Sequence, residues 1–374
     1  MSHSISPRRI AIQTAAVLLA DLTAWPTMVS ATENKTETDT EFYPQAKPRR
    51  LVFPRDFGAH PSYRTEWWYL TGWLGQGPTA MGFQLTFFRS RTQHATENPS
   101  RLAPQQLLFA HAAVSVAKED VFLSANRAGR LSGTRLRAET TDTNLQFEDW
   151  HLSRVQRAAS EIYEGYFAGE GFALSFEALA TQPAILRGQT GWSQKGPQAQ
   201  QASHYYSRAP LSVKASVSLG KQTQMLEGKA WLDHEWSSQM LMPGAVGWDW
   251  LGINLLDGGT LMAFQIRNKH SQPLYAHVDA RDRLGRPTKG WSALRWQAHG
   301  SWRSKSLIHY PIPMDLVVGG QRFRLVPLML AQEVDARAST GGFYWEGAVS
   351  LMQEERLLGH GYLELTGYGA PLRM

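Results

Sequence analysis

From residue 64 onward, apolar and polar positions alternate in short runs. The stretches "EWWYLTGWL" (66–74), "AMGFQLTFFRS" (80–90), "QLLFAHAAVSV" (106–116) and "FALSFEAL" (172–179) are rich in aromatic and β-branched residues. They show a partial period of two and are bounded by Gly, Pro, Asn or Thr, the pattern of half-buried strands. Spacing of this kind predicts an all-β protein. Beyond the N-terminal segment no stretch carries a helical stripe of more than three turns, and "AASEIYEGYFA" (158–168) is compatible with either a helix or a strand.

The pattern also repeats. Displaced by 181 residues, "WWYLTGWLGQGPTAMGFQL" (67–85) falls without a gap on "WDWLGINLLDGGTLMAFQI" (248–266). Identities occur at Trp67/Trp248, Leu70/Leu251, Leu74/Leu255, Gly77/Gly258, Thr79/Thr260, Met81/Met262, Phe83/Phe264 and Gln84/Gln265. "LLFAHAAVSV" at 107 echoes "PLYAHVDARD" at 273, and "GKAWLDHEW" (228–236) falls on "GHGYLELTG" (359–367) when displaced by 131. One unit used twice predicts two tandem antiparallel β-barrels, residues 51–237 and 238–374, behind a polar linker at 32–50. Barrels are favoured over sandwiches because closure hides the strand edges. The ungapped alignment further predicts that Trp67 and Trp248 sit in equivalent places near the barrel floors, and that Phe83 and Phe264 coincide.

Composition narrows the chemistry. The chain of 374 residues is 43% hydrophobic, enough to build cores, and has no cysteine, which removes disulfides, thiolate catalysis and Fe–S ligation. A net charge of +6 is spread without a basic run of five, so nucleic acid is not an expected partner. Arg8 and Arg9 precede the apolar "IAIQTAAVLLA" (10–20), and Val29-Ser30-Ala31 offers small residues for cleavage. Residues 1–31 therefore read as an export signal of twin-arginine type, which predicts a periplasmic or secreted protein with no integral membrane span in the mature chain.

The densest candidate chemistry is "GKAWLDHEWSSQ" (228–239). On a strand Asp233 and Glu235 share one face, and Leu232, His234 and Trp236 share the other. The sister repeat has Leu363 and Leu365 where this one has Leu232 and His234. His234 is thus either a core histidine held by a buried partner or a functional one. Glu66, ahead of Trp67-Trp68-Tyr69, is either salt-bridged to Arg64 or Arg89 or a buried acid with a raised pKa. Consecutive Asp233, His234 and Glu235 cannot converge on one ion, so neither metal nor cofactor is expected. Ser237 and Ser238 lack a Gly-x-Ser-x-Gly elbow, which argues against a serine hydrolase. "HYYS" (204–207) with Trp192 and Trp231 either lines a ligand cavity or fills a core.

"RTEWWYLTGWL" (64–74), "KGPQAQQASHYYSR" (195–208), "GKAWLDHEWSSQ", "GWDWLGINLLDGG" (247–259) and "GHGYLELTGY" (359–368) together resemble the AttH-like, carotenoid 1,2-hydratase-like proteins. The resemblance spans essentially the whole mature chain. It implies tandem lipocalin-like barrels and places the hydratases' His-x-Trp pair on His234 and Trp236. The hydratases' Tyr-x-Asp pair falls in "LMAFQIR" (261–267), where Phe264, Gln265 and Ile266 supply no acid. Asp233, Glu235, Asp249 or Glu66 would then have to donate the proton. Trp68, Tyr205, Tyr206, Trp231, Trp248, Trp250 and Phe264 are the expected ligand-binding aromatics. Three functions follow: a carrier of a hydrophobic lipid or isoprenoid ligand serving an envelope transport system, a hydratase or isomerase acting on such a ligand, or a non-catalytic interaction module.

Overall fold

A computed structural model describes residues 42–94, 98, 100 and 103–372. The predicted export signal lies outside the described residues, as does the linker up to residue 41.

The described chain folds into two antiparallel sheets, each curling into a nearly closed barrel. The first opens with Thr65–Leu74, which pairs on one side with Met81–Arg91 and on the other with the closing strand Gln222–Ser237. The sheet continues through Gln106–Val116 at one end and through the long strand Ala202–Leu219 at the other. The second repeats the plan, with opening strand Ala245–Leu255 between Thr260–Asn268 and the closing strand Arg356–Leu365. The ambiguous 158–168 stretch is strand, Ser160–Gly169. Gly165 faces Phe176 on the neighbouring strand, and a Cβ there would come within 2.4 Å of the Phe176 ring. A glycine that admits a cross-strand aromatic suits a sheet, and it weakens a helix.

Alternation decides what each strand buries. In the first barrel Trp68, Leu70 and Leu74 point inward with Phe83, Leu85, Phe87 and Leu232, whereas in the second Leu251, Ile253, Leu261, Ala263, Leu363 and Leu365 do so. The alternate positions are also apolar. Tyr69, Tyr205, Trp231, Trp250, Met262, Phe264 and Tyr362 form a further buried cluster where the two barrels meet. Such strands are buried on both faces, which explains why their alternation is only partial in the sequence.

Strand pairing confirms the repeat and corrects its alignment. Leu70 pairs with Leu232, and their counterparts Leu251 and Leu363 pair in the same way. Past the turn the ungapped match fails. Phe83 pairs with Gly72, whose counterpart is Ile253, but Ile253 pairs with Leu261 rather than with Phe264. The second connection, residues 256–259, is shorter than the first, residues 75–80, and the following strand slips by three residues, Leu261 standing where Phe264 was expected. An odd slip turns every side chain to the other face. Phe83 is therefore core, and Phe264 faces the other barrel. The counterpart of Phe83 is Leu261, and that of Arg89 is Arg267. Trp67 and Trp248 do coincide, but not at barrel floors. They leave their sheets at the junction and stack on one another, ring centroids 6.5 Å apart and 14° from parallel.

That contact reveals the arrangement of the barrels. Trp67 touches its own repeat mate, and Tyr69 packs against its mate Trp250 at 5.1 Å. The opening strand of each barrel lies against the closing strand of the other. Mates that meet mates are the mark of a two-fold interface, here within one chain.

Candidate active site

Two polar clusters are buried on opposite faces of Gln222–Ser237. Inside the first barrel, His234 makes contacts of 2.9 Å from Nε2 to Glu66 Oε1 and 3.0 Å from Nδ1 to the Tyr206 hydroxyl, and it stacks on Trp68 at 4.4 Å. Glu66 also bonds His60 and receives Arg89 Nε at 2.8 Å, which settles the choice between Arg89 and Arg64 as its pairing partner in favour of Arg89. Trp236 carries the His60 ring at 3.7 Å. Burial lowers the His234 pKa to about 4 despite Glu66, so the ring is neutral at physiological pH. Burial alone would raise the Glu66 pKa, but Arg89 and His60 hold it well below the usual carboxylate range.

His60, Glu66 and His234 offer ligand atoms within 4.8 Å of one another and could hold a cation. His60 comes from a loop outside the 228–239 motif, so the Asp233-His234-Glu235 spacing could not reveal this group. Both Glu66 oxygens are already bonded within the chain, and Arg89 already supplies the positive charge at Glu66. The cluster reads as a closed ion-pair network.

The other face is different. Asp233 accepts bonds from the Trp231 indole at 2.7 Å, the Tyr205 hydroxyl at 2.6 Å and the Ser207 hydroxyl, while the Trp250 indole donates to Tyr205 at 3.3 Å. Burial pushes the Asp233 pKa up to about 6, with Arg187 and these bonds opposing. Glu235 is held by Lys195 at 2.9 Å and by Ser203. The facing barrel contributes Glu364, which is the repeat counterpart of Asp233. Glu364 accepts the Trp248 indole at 3.0 Å and stands directly across from Glu346 in the strand ladder. Two carboxyls in direct cross-strand register repel when both are charged. Burial, reinforced by Glu364, raises the Glu346 pKa well above the usual range; burial, reinforced by Asp233, raises that of Glu364 to about 7. The pair therefore retains a proton at neutral pH.

Glu346 Oε1, the Tyr69 hydroxyl and Gln84 Nε2 are buried without a hydrogen bond of good geometry, although Tyr69 and Tyr344 stand close enough to Glu346 to lower its pKa and Gln84 close enough to Tyr344 to lower that of the phenol. Buried polar atoms are seldom left so. Trp67, Trp248 and Glu364 are only partly buried, so this end of the junction opens toward solvent.

The predicted site residues thus divide. His234, Trp236, Glu66, Trp68 and Tyr206 lie inside the first barrel. Asp233, Tyr205, Trp231, Trp248, Trp250 and Phe264 lie at the junction. Asp249 is in neither set: it is tied to Arg267 and Gln265 in the second barrel. Sequence reasoning missed Glu346 and Glu364. The displacement of 131 that equates 228–236 with 359–367 places Glu364 under Asp233 and could have found it. Glu346 has no such signal, because only the fold sets it opposite Glu364.

Comparison with known proteins agrees with this architecture. The sequence model of the AttH-like family matches residues 44–368. A crystal structure assigned as an AttH from Nitrosomonas europaea is 38% identical, covers 86% of this chain and 98% of its own, and superposes with a TM-score of 0.76. Kievitone hydratase from Nectria haematococca shares the fold at 12% identity, with a TM-score of 0.63 over 88% of this chain and 98% of its own. CghA with Sch210972 does so at 12% identity, with a TM-score of 0.53 over 86% and 95%. No match to a functionally curated protein was found. With the family match spanning both barrels and their shared interface, the chain belongs to the AttH-like family.

Proposed function

We propose that the protein is an acid–base catalyst that adds water to, or isomerises, an unsaturated hydrophobic small molecule bound between its barrels. The observation that carries this reading is the cross-strand Glu346–Glu364 pair, which holds a proton at neutral pH beside Trp248 and Trp250. Protonating an alkene needs an acid, a surface that tolerates the cation and a place for water. The Glu364 carboxyl gives its proton to one alkene carbon. The positive charge at the neighbouring carbon lies against indole faces, whose quadrupole attracts it. Water adds there and returns a proton to the carboxyl pair, so the acid is regenerated. The loosely bonded polar atoms of Glu346, Tyr69 and Gln84 are suited to orient the water or a polar atom of the substrate. Kievitone hydratase, similar in fold, is named for a hydration.

Carriage of a hydrophobic ligand is the second reading: a cavity of about 480 Å³ beside Val116, Leu123, Gly171 and Leu219 of the first barrel is within the usual ligand-pocket range of roughly 300–1,000 Å³.

The test compares organic extracts of the parent and of Glu364→Gln, each purified from its native host. The parent should carry a product, heavier by one water or isomeric, and the variant its unreacted precursor. The same compound in both would establish a carrier; empty extracts from both would leave only the interaction module. We also propose export through the 1–31 signal, which places the chemistry outside the cytoplasm. N-terminal sequencing of the exported pool should begin near Thr32, and an intact Met1 or Ser2 there would refute it.

A further inference from the structure

We propose that the cavity between residues 188–194 and the strand Pro273–Arg281 is a binding site for one neutral sugar ring. This goes beyond the catalytic reading above and does not depend on it. The cavity measures about 170 Å³, and its lining includes Gly188, Gln189, Ser193, Gln194, Tyr275 and His277. A cavity of about 150 Å³ accepts benzene, so the space fits a single six-membered ring. Gly188 and Gln189 are exposed, so one side of the ring and a substituent on it can remain in water.

Both walls are preformed. Gly188 has φ +63°, and a Cβ there would meet the Trp192 carbonyl oxygen at 2.3 Å, so this turn requires glycine. The Gln189 amide donates to the Trp192 carbonyl at 2.9 Å, and the Gly191 amide to that of Arg187 at 3.1 Å. Tyr275 and His277, two residues apart on one strand, share a face. Both rings lie against Phe264, with centroids 5.8 Å away in each case. A braced aromatic platform thus faces a rigid turn.

The chemistry of the lining selects the ligand. None of the lining residues is ionised, and the charges behind them are matched: Arg187, Arg281 and Lys195 are set against Asp233, Glu235 and Asp279. Burial and then the nearness of Lys195 lower the His277 pKa, so its ring is neutral. A charged ligand would therefore find no counter-ion. A purely aromatic one would cover amides, hydroxyls and the imidazole without replacing their bonds to water. The Ser193 and Tyr275 hydroxyls, the Gln189 and Gln194 amides and the neutral His277 ring are all groups that both donate and accept. Gln194 donates from Nε2 to the Gly196 carbonyl at 2.7 Å, which leaves Oε1 to accept. A sugar hydroxyl likewise donates and accepts. A pyranose carries such hydroxyls around its rim and an apolar C–H face, whose positive edge suits the negative face of the Tyr275 ring.

The probes are methyl β-D-glucopyranoside and methyl β-D-galactopyranoside, each titrated against the full chain by saturation-transfer NMR. Glucuronate, glucosamine and phenol serve as charged and aromatic comparisons. The better glycoside should bind with a Kd in the millimolar range, the order expected for a ligand of about thirteen non-hydrogen atoms. It should bind about tenfold more tightly than any comparison compound. His277→Phe keeps a ring against Phe264 but removes both nitrogens. It should weaken the glycoside about tenfold and leave phenol binding unchanged or improved, an exchange of preference that lost packing would not produce. Gln189→Ala, on the exposed side of the turn, should weaken the glycoside several-fold with no change in Tm. Three results would overturn the site: no binding of either glycoside at concentrations about tenfold above that range, tighter binding of a comparison compound, or glycoside affinity unchanged in both variants. Glu364→Gln should leave glycoside affinity intact, so loss of the product at the junction and absence of sugar binding here are separate failures.

Discussion

Replacing Glu364 by glutamine should make the protein more stable at alkaline pH and leave it unchanged in acid. In the folded protein the Glu364 pKa rises from an ordinary 4.5 to about 7. Because the folded value exceeds the unfolded one, folding takes up a proton between these two values. The group's favourable share is complete below pH 4.5 and is lost as pH climbs through about 7. At 1.36 kcal/mol per unit the full span is about 3 kcal/mol. Glu364 is not wholly buried, so solvent screening reduces this to about 2–3 kcal/mol. Glutamine resembles the protonated carboxyl, keeps an acceptor for the Trp248 indole, and carries no charge to lose.

Urea unfolding followed by tryptophan fluorescence at intervals from pH 4.5 to 8.5 measures the difference directly. His234, with its folded pKa lowered to about 4, acts in the opposite sense: the unfolded chain binds its proton more readily, so stability rises between pH 4 and 6.5. That slope is common to both proteins and cancels in the comparison. The gap between variant and parent should open from near zero to about 2–3 kcal/mol. Parallel curves across the range would show that Glu364 titrates like a surface carboxyl, and the proton store assigned to the Glu346–Glu364 pair would not exist.

Two further outcomes are expected. His234→Leu, which installs the residue of the sister repeat, removes one hydrogen bond each from the Tyr206 hydroxyl and Glu66, which keep Thr143 and His60 as partners, and should cost about 1–3 kcal/mol on urea unfolding. Turnover by the folded fraction should be unchanged, and a silent stability effect with lost turnover would return His234 to the reaction centre.

How much of this was legible depends on whether a feature is local. Strands, barrels and the repeat follow from period and punctuation, and the separation of Asp233 from His234 follows from alternation alone. The slip after the second turn did not, because a connection shortened to residues 256–259 changes register without disturbing the residues that look identical. Met262, Phe264 and Gln265 match Met81, Phe83 and Gln84 in type yet stand on opposite faces from them. Both faces of these strands are apolar, so hydrophobicity could not reveal the exchange. Glu346 and Arg187 gain their meaning only from partners set beside them by the fold, and His60 from Trp236 and His234 on a strand far away in the chain.

The two-fold relation between the barrels explains why the chemistry collects where it does. Any residue near such an axis meets its own counterpart, so an acid on the junction face of an ancestral closing strand would arrive twice, as Asp233 and Glu364 do. A symmetric pair would repel, and the chain has broken the symmetry differently on each side. Around Asp233 it supplies Trp231, Tyr205, Ser207 and Arg187, which favour the anion. Around Glu364 it supplies Glu346 in the adjacent strand, which favours the acid. Two carboxyls of common descent thereby acquire different proton affinities a short distance apart, the condition under which one can donate while the other remains charged. Glu66 and Gly247, also repeat counterparts, diverged further. The first barrel keeps its glutamate to neutralise Arg89, whereas the second satisfies Arg267 with Asp249 and leaves the inward position of His234 to Leu365. A histidine network inside one barrel and a leucine core inside the other can build the same fold. The shared face between them is where the two repeats must cooperate, and among the described residues it brings proton-holding carboxyls, loosely bonded polar atoms and aromatic surface together.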